Sequence, residues 1–472
     1  MRLTGRASSR SVRCVAALVL GICLALAMPP VSWWPLTVVA VAGLALLCRD
    51  ASAGTGALVG GAFGFGFVLV CMWWLQVIVP GLQLAIAVTE MPFFALLGAA
   101  LASTSRLPGW PVWGACCWVG TELLRGNVPF GGLPWGRLGT AVVDTPVVTW
   151  ARYLGEGGLT LVVALACTLL AAAVVSHRAG AALAVVVFVA LVGGSVLLPV
   201  GLEGPPGREV TVAVVQGNVP GSGLESFSRP RVTLQNHVAA TRELASDVEA
   251  GEAPAPDLVI WPENASDIDP LRDAGARALV QRAVDEVGSP VVVGAVTVGP
   301  GPERVQGTGI LWRPGSGPAQ RYAKRRLVPF GEFVPFRPLL TGLVPLIEEE
   351  TPRDFAPGRR PGVLDAGSVT VGAVMCFEVA YDAAIRDVAR AGVDLLAVQT
   401  NNAFYLGTGQ LEQQWSITRL RAIETGRAVA VAATTGISAV VAPDGTVLER
   451  THSRAQQTLV AQVPAGQGRT LG

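Results

Sequence analysis

Charged residues are scarce between about residue 14 and residue 200, whereas they occur at ordinary density after Gly201. Of the 472 residues, 51% are hydrophobic and 15% are charged. This composition is too apolar for the whole chain to be a single soluble globular domain. The formal net charge of +1 provides no basic surplus for binding nucleic acid. Part of the chain is therefore expected to lie in lipid, and the rest to form a domain of ordinary composition.

Cysteine is nearly absent from the second part of the chain, where Cys376 stands alone and has no partner for a disulfide within that domain. The apolar part contains the other cysteines, which are expected to be inert, buried residues: Cys14, Cys23, Cys48, Cys71, Cys116, Cys117 and Cys167. Histidine is equally rare, and no Cys/His cluster has the spacing of zinc ligands. We therefore expect no metal and no cofactor.

About seven apolar runs are long enough to cross a hydrocarbon layer of about 30 Å. They cover approximately residues 13–29, 31–48, 56–79, 82–104, 109–124, 157–176 and 180–200. The segment 201–208 is rich in Gly and Pro, which end a helix arriving from the membrane. We therefore assign residues 1–200 to a transmembrane domain, 201–208 to a linker and 209–472 to a second domain.

The orientation of these runs follows from the arginines that precede the first of them, Arg2, Arg6, Arg10 and Arg13. By the positive-inside rule the N-terminus is cytoplasmic, and an odd number of spans places the second domain outside. A cleaved signal is an alternative, because Ala25-Leu26-Ala27 resembles a signal-peptidase site. With an uncleaved first span and a cytoplasmic N-terminus, the long connection of residues 125–156 lies outside, either as a functional loop or as a re-entrant packing segment. Its Trp135 suits the lipid headgroup interface.

After residue 209 the pattern changes to runs rich in β-branched residues, separated by helical periodicity. The predicted strands are 210–217, 257–262, 290–298, 307–313, 368–375, 394–400, 428–434 and 438–443. The predicted helices are 229–249, 270–287, 380–391 and 409–426. This mixed order predicts a layered α/β domain.

Several predicted strands end in polar or reactive residues: Glu263 follows LVIWP, Cys376 follows VGAVM, and Asn401-Asn402 follow LAVQT. In α/β sheets the catalytic and binding residues usually lie just beyond the carboxyl ends of the strands. A cysteine attacks a carbonyl only as a thiolate, so it needs a base or a cation close by. His237 and His452 are possible partners, although neither lies at a strand end.

Glu263 and Lys324 are better placed than the histidines to complete one mechanism with Cys376. The carboxylate of Glu263 is a candidate general base. The ammonium of Lys324 can stabilise the oxyanion that develops when a carbonyl is attacked. A capping role for Glu263 and a solvated basic face around Lys324 remain the alternatives for each residue taken singly.

Three segments carry these residues: WPEN at 261–264, YAKRRLVPFGEFVPF at 322–336 and MCFEVAY at 375–381. They resemble the Glu-Lys-Cys signatures of the nitrilase, or carbon-nitrogen hydrolase, superfamily, and in particular its bacterial apolipoprotein N-acyltransferase branch. The resemblance extends over nearly the whole chain, because that family places several transmembrane helices before the catalytic domain. It implies an αββα sandwich in the cell membrane, with the catalytic domain on the extracytoplasmic side.

The resemblance also implies roles for individual residues. Cys376 would be the nucleophile, Glu263 the general base and Lys324 the oxyanion stabiliser. Glu332 and Glu378 would support the site, and the backbone N-H of Phe377 would complete the oxyanion hole. The implied reaction transfers a fatty acyl chain from a phospholipid, through a Cys thioester, to the α-amine of a lipoprotein's diacylglyceryl-cysteine.

Apolar residues near the motifs are candidates for binding the lipid substrates. A membrane-dipping lid is predicted from Phe333-Val334-Pro335-Phe336 through Leu339, Leu340, Leu343, Val344, Leu346 and Ile347, with a surface-packed loop as the alternative. Phe404, Tyr405 and Trp415 are candidates for the acyl pocket. The family usually has one more transmembrane helix after the catalytic domain, and no such apolar run is present here, so truncation and a natural departure are both open.

The sequence is also compatible with two other functions. A membrane-tethered amidase would use the same three residues but pass the acyl group to water. A membrane scaffold with a degenerate catalytic domain would have lost at least one of the three positions, and none is lost.

Overall fold

The computed structural model describes residues 2–198, 208–219, 230–337, 353–466, 470 and 472. The described chain forms two compact units. The first contains the helices up to Leu197 together with the segment Thr408–Glu424, and the second contains the β-sheets. The predicted linker, apart from Arg208, and the predicted lid residues from Leu339 to Ile347 lie outside the described residues.

Seven described helices of the first unit overlap the predicted apolar runs, although their bounds differ. They are Arg2–Ala27, Pro35–Cys48, Ala53–Cys71, Leu82–Thr104, Trp110–Arg125, Trp150–Val175 and Arg178–Leu197. Within the described chain, five helical segments are long and apolar enough to cross a membrane, and Pro35–Cys48 is a shorter apolar helix. The chain is therefore a membrane protein, as its composition predicted.

Glycines allow two of these helices to approach closely. A Cβ atom at Gly60 would overlap the carbonyl oxygen of Phe94, and a Cβ atom at Gly98 would overlap that of Gly56. Small residues at such positions are the usual means of packing helices in a membrane, where no hydrophobic effect drives them together. The helices Ala53–Cys71 and Leu82–Thr104 are joined in this way.

The sixth of these helices is interrupted at Gly155, whose φ of 71° and ψ of 179° are not helical. The break leaves the backbone N-H of Glu156 without a helical acceptor, and this N-H donates to Glu424 Oε1 at 2.9 Å. The carboxylate of Glu156 accepts from Arg421 at 2.8 Å, and Arg421 also binds Glu424 at 2.6 Å. These contacts tie the helix Gln410–Thr425 to the interrupted helix.

Gln413 makes a second buried connection within the first unit. Its Oε1 accepts hydrogen bonds from the indole N-H groups of Trp74, at 2.9 Å, and Trp135, at 2.7 Å. Its Nε2 donates to the carbonyl oxygens of Pro29, at 3.1 Å, and Cys71, at 3.0 Å. Because every polar atom of this buried amide is used, the helix that carries it is held in a single register.

The second unit contains two mixed sheets of six strands each. The first sheet has the order β12-β1-β2-β3-β4-β5 and the second the order β11-β10-β9-β8-β7-β6. The strands are β1 Glu209–Gln216, β2 Leu258–Ile260, β3 Val291–Val298, β4 Val305–Arg313, β5 Gly317–Ala323, β6 Val363–Asp365, β7 Thr370–Met375, β8 Leu395–Thr400, β9 Val429–Ala433, β10 Ala439–Val441, β11 Val447–Arg450 and β12 Gln457–Pro464.

The two sheets pack face to face. One core cluster joins residues of both sheets, among them Val212 and Leu258 of the first and Val371 and Leu395 of the second. The helices Pro230–Ala250 and Ala274–Val287 cover the outer face of the first sheet, and Asp382–Arg390 packs on β7. The predicted αββα sandwich following a helical membrane domain is thus confirmed.

The central strands of both sheets are parallel: β1, β2 and β3 in the first, and β7, β8 and β9 in the second. Parallel neighbours end at the same edge of their sheet, and the segments that follow them meet there. The ends of β2, β7 and β8 carry the candidate catalytic residues.

Candidate active site

Cys376 lies at a sharp turn directly after β7, where it begins the short 3-10 helix Cys376–Ala380. Its φ of 48° places a non-glycine residue in the left-handed region, a conformation that costs about 1–3 kcal/mol. A turn of this kind between strand and helix presents its side chain at the edge of the sheet. The half-buried thiol lies 3.9 Å from Asn402 Oδ1.

Lys324 follows β5, and its side chain is only 2% exposed. Its Nζ donates to Glu263 Oε1 at 2.9 Å and to Glu332 Oε1 at 2.6 Å. Burial lowers the pKa of Lys324, but the two carboxylates outweigh this effect and raise the pKa well above its ordinary value. The ammonium is therefore charged at neutral pH and is held between two acceptors.

Glu263 follows β2 after Trp261 and Pro262, and its side chain is 7% exposed. One carboxylate oxygen binds Lys324, and the other accepts the backbone N-H of Asn401 at 3.2 Å. Asn401 follows β8 of the second sheet, so the two sheets contribute jointly to the position of this carboxylate. The arrangement leaves Glu263 fixed at both oxygens.

Glu332 supplies the second carboxylate of the site. Its Oε2 accepts the backbone N-H of Val328 at 2.8 Å, which fixes the side chain from its own segment. Burial raises the pKa of Glu332, Lys324 lowers it, and the charge of Glu263 raises it again, with a net rise. Two carboxylates thus share one ammonium, so the titration of each carboxylate depends on the charge of the other.

The Cys376 thiol is protonated at rest. Burial raises its pKa to about 12, the charge of Glu263 adds to the rise, and Lys324 opposes it. A thiol of this kind reacts only if a base takes its proton as the new bond forms.

Glu378 binds backbone N-H groups and the hydroxyl of Tyr322. It accepts hydrogen bonds from the Tyr322 hydroxyl at 2.7–2.8 Å and from the backbone N-H groups of Arg325 at 2.8 Å, Arg326 at 2.9 Å and Met375 at 2.9 Å. Met375 precedes the candidate nucleophile, and Arg325 follows Lys324. Glu378 therefore joins the two segments that carry them.

Phe377 and the aromatic pair after β8 flank these groups. The Phe377 ring lies 5.5 Å from that of Tyr381, and Phe404 and Tyr405 lie 5.8 Å apart. Burial raises the pKa of Tyr405 above its ordinary value, and the charges of Cys376, Glu332 and Glu263 add to the rise while Lys324 opposes it. The oxyanion role of the Phe377 N-H and the acyl-binding role of Phe404 and Tyr405 remain predictions.

Trp135 and Trp415, the other two residues predicted to bind lipid, belong to the first compact unit. Both are buried, at 1% and 8% exposure. The indole N-H of Trp135 is bound by Gln413, and its ring packs 5.9 Å from that of Trp74. A lipid-binding role for these two tryptophans stays a prediction.

The histidines weighed as partners of Cys376 have other surroundings. His237 is fully buried in the core on the outer face of the first sheet, with Nδ1 2.8 Å from the carbonyl oxygen of Thr233 and its ring 5.8 Å from that of Trp261. Burial lowers its pKa to about 4, so it is neutral. His452 is exposed. Among the described residues, no group of three or more His, Cys, Asp and Glu side chains is arranged to hold a metal ion.

Two residues near the thiol follow a predicted strand, but the sequence does not predict a role for them in the site. They are Asn401, which binds Glu263 through its backbone, and Asn402, which contacts Cys376. Their position after β8 was the only available signal.

Family models match both parts of the chain. Residues 20–169 match the apolipoprotein N-acyltransferase N-terminal domain, and residues 211–471 match the carbon-nitrogen hydrolases. Together with the two facing sheets, these matches define an enzyme of the carbon-nitrogen hydrolase superfamily that carries a membrane domain.

Curated relatives narrow this class. Apolipoprotein N-acyltransferase of Mycolicibacterium smegmatis is 38% identical, covering 92% of this chain and 76% of its own length. Those of Ralstonia nicotianae and Methylococcus capsulatus are 33% and 29% identical, covering 96% and 91% of this chain and 88% and 86% of their own lengths. Among solved structures, an amidase from Nesterenkonia sp. is 21% identical, covers 57% of this chain and 95% of its own, and has a TM-score of 0.41. The chain belongs to the apolipoprotein N-acyltransferase family, as its motifs predicted, and is an acyltransferase.

Proposed function

We propose that this chain transfers a fatty acyl chain from a phospholipid to the α-amine of the N-terminal diacylglyceryl-cysteine of lipoproteins, through a thioester on Cys376. The observation that carries the proposal is the ammonium of Lys324, held by Glu263 and Glu332 in the same buried site as the strained Cys376. Nucleophile, base and cation are the groups that acyl transfer through a thiol requires.

In the first half-reaction, Glu263 takes the thiol proton while Cys376 Sγ forms a bond to the carbonyl carbon of the phospholipid ester. Lys324 and the backbone N-H of Phe377 stabilise the resulting oxyanion. The ester C-O bond then breaks, and Glu263 returns the proton to the leaving alkoxide. The products of this half-reaction are a lysophospholipid and the acyl thioester.

In the second half-reaction, the amine of the acceptor attacks the thioester carbonyl carbon, and Glu263 takes a proton from the attacking nitrogen. The C-N bond forms, the C-S bond breaks, and the proton returns to Sγ. Both half-reactions use the same groups, so the two substrates bind in turn in a ping-pong sequence.

The segment that carries Glu332 is proposed to meet the lipid. Phe330 and Phe336 lie on either side of it, at 47% and 67% exposure, with φ of 65° and 53°. The segment is held at its base by Asp354, which binds Arg337 at 2.7 Å. Exposed aromatic side chains beside the site would support entry of donor and acceptor from a membrane surface.

We also propose that the catalytic domain lies on the extracytoplasmic side of the cell membrane, because four arginines precede the first span. An epitope inserted at Asp444, in the turn between β10 and β11, should bind antibody on intact spheroplasts. An epitope at the N-terminus should bind only after the membrane is permeabilised. The reverse pattern would overturn this orientation.

The main alternative is a membrane-tethered amidase, which would hydrolyse the acyl bond. The products of the reaction distinguish acyl transfer from hydrolysis. The purified full-length chain, incubated with acyl-labelled phospholipid and a diacylated lipopeptide, should give N-acylated peptide in excess of free fatty acid. The labelled lipopeptide is measured by mass spectrometry, and an N-acetylated lipopeptide, which lacks the free amine, serves as the control acceptor. Free fatty acid as the dominant product with both peptides would support hydrolysis instead.

A further inference from the structure

The loop that follows β8 contacts both the proposed base and the proposed nucleophile. The backbone N-H of Asn401 donates to Glu263 Oε2 at 3.2 Å, and the side-chain Oδ1 of Asn402 lies 3.9 Å from Cys376 Sγ. Two adjacent residues of this loop therefore contact Glu263 and Cys376. Further hydrogen bonds fix the side chains of both Asn401 and Asn402.

Asn402 is held rigidly. It is 3% exposed, and its Oδ1 also accepts the hydroxyl of Thr400 at 2.8 Å. The neighbouring Asn401 accepts the hydroxyl of Thr434 at 2.9 Å and the backbone N-H of Ala403 at 3.3 Å. A buried amide with such partners has one orientation, so the oxygen faces the sulfur.

The direction of the contact follows from the chemistry of its two atoms. An amide oxygen only accepts hydrogen bonds, so the thiol must be the donor. A neutral acceptor at this distance fixes the rotamer of Cys376 without adding charge beside the sulfur. An acceptor with a negative charge would hold the same rotamer but would oppose loss of the thiol proton.

We propose that Asn402 is a positioning residue for the reaction: its side-chain oxygen orients the Cys376 thiol, and its neutrality permits Glu263 to withdraw the proton. This inference rests on the proposed role of Cys376. The titratable and charged groups around the thiol are Glu263, Lys324, Glu332 and Tyr405. All of them are left unchanged in the variants below.

Two substitutions of Asn402 separate orientation from charge. Asn402→Leu has nearly the same shape but no acceptor, and it should lower kcat about 10- to 100-fold with KM changed less than twofold. Asn402→Asp keeps the acceptor and adds a charge. It should recover most of the native activity at alkaline pH, while its pH profile shifts upward by about one to two pH units.

The decisive readout is the pH dependence of Cys376 alkylation by iodoacetamide, followed on the Cys376 peptide by mass spectrometry because the chain has seven other cysteines. At each pH the alkylation rate of Cys376 should fall in the order Leu, Asn, Asp at position 402. Asn236→Leu is the matched control and should behave like the native chain. Asn236 is half-buried on the helix Pro230–Ala250, and its side chain donates to the carbonyl oxygen of Asn218 at 3.2 Å, away from Cys376.

The outcomes distinguish this inference from the proposed function. Full activity of Cys376→Ser would overturn the proposed nucleophile itself. An inactive Cys376→Ser together with native alkylation profiles of both Asn402 variants would overturn only the role of Asn402. A fall in kcat for Asn402→Leu without rescue by Asp at any pH would likewise contradict orientation through an acceptor oxygen.

Discussion

Replacing Cys376 by Ser is expected to abolish the covalent acyl intermediate and to reduce N-acylation by at least about 10³-fold. A buried hydroxyl gives up its proton less readily than the thiol, so the proposed base Glu263 would activate a serine at this position far less well. The native chain, incubated with phospholipid alone, should gain the mass of one acyl chain. Neutral hydroxylamine should remove that mass, because it cleaves thioesters and spares oxygen esters.

Two further variants serve as a control for this result and as a test of the proposed base. Cys116→Ser changes an exposed cysteine of the helix Trp110–Arg125 and should keep the adduct in full. Glu263→Gln retains the thiol but cannot take its proton, so the adduct should form about 10²-fold more slowly or worse. An undiminished, hydroxylamine-labile adduct on Cys376→Ser would remove the basis of the proposed mechanism.

The strands that sequence alone predicted are the buried ones. All eight runs rich in β-branched residues form strands, from β1 to β4 and from β7 to β10. The strands that were not predicted are β5, β6, β11 and β12, and these are the four sheet edges. An edge strand is partly solvated, so its sequence is mixed: β11 is exposed throughout, and the middle of β5 is exposed. Such a pattern does not differ from that of a loop.

The site was predictable to the extent that its residues follow buried strands or lie in recognisable motifs. Cys376 and Glu263 satisfy the first condition, and Lys324 the second. The contact of Asn402 with the thiol depends on the parallel pairing of β7 with β8, which aligns Met375 with Gln399. The paired residues are 24 positions apart in the sequence, and neither strand alone indicates which residues of the other it pairs with.

The helix Gln410–Thr425 shows another limit. Its periodicity predicted a helix of the second domain, yet Thr408–Glu424 lies in the first compact unit. Gln413 and Arg421 are polar residues on this helix that are buried because distant partners satisfy them, Trp135 and Glu156 among others. Helical periodicity reports which face is apolar, and it contains no information about a polar residue whose partner lies elsewhere in the chain.

Replacing Lys324 by Met is expected to lower N-acylation by about 10³-fold and to destabilise the chain at the same time. The ammonium binds Glu263 at 2.9 Å and Glu332 at 2.6 Å, and its removal leaves two carboxylates in a buried site without a counterion. Breaking a buried ion pair in this way costs about 3–5 kcal/mol. Loss of one oxyanion donor costs about 10²–10³ in kcat. Thermal unfolding and single-turnover acylation measure the two effects separately.

The double variant Lys324→Met/Glu332→Gln tests whether the Lys324 ammonium contributes to catalysis or only to the stability of the folded chain. Glu332→Gln removes one of the two opposing charges while keeping an acceptor for the backbone N-H of Val328, which Glu332 binds at 2.8 Å. Part of the lost stability should therefore return. Activity should not, because no cation then faces the developing oxyanion and Glu263 has lost its partner. If acylation recovered in parallel with the unfolding temperature, Lys324 would be a structural residue, and the oxyanion would need another source of positive charge.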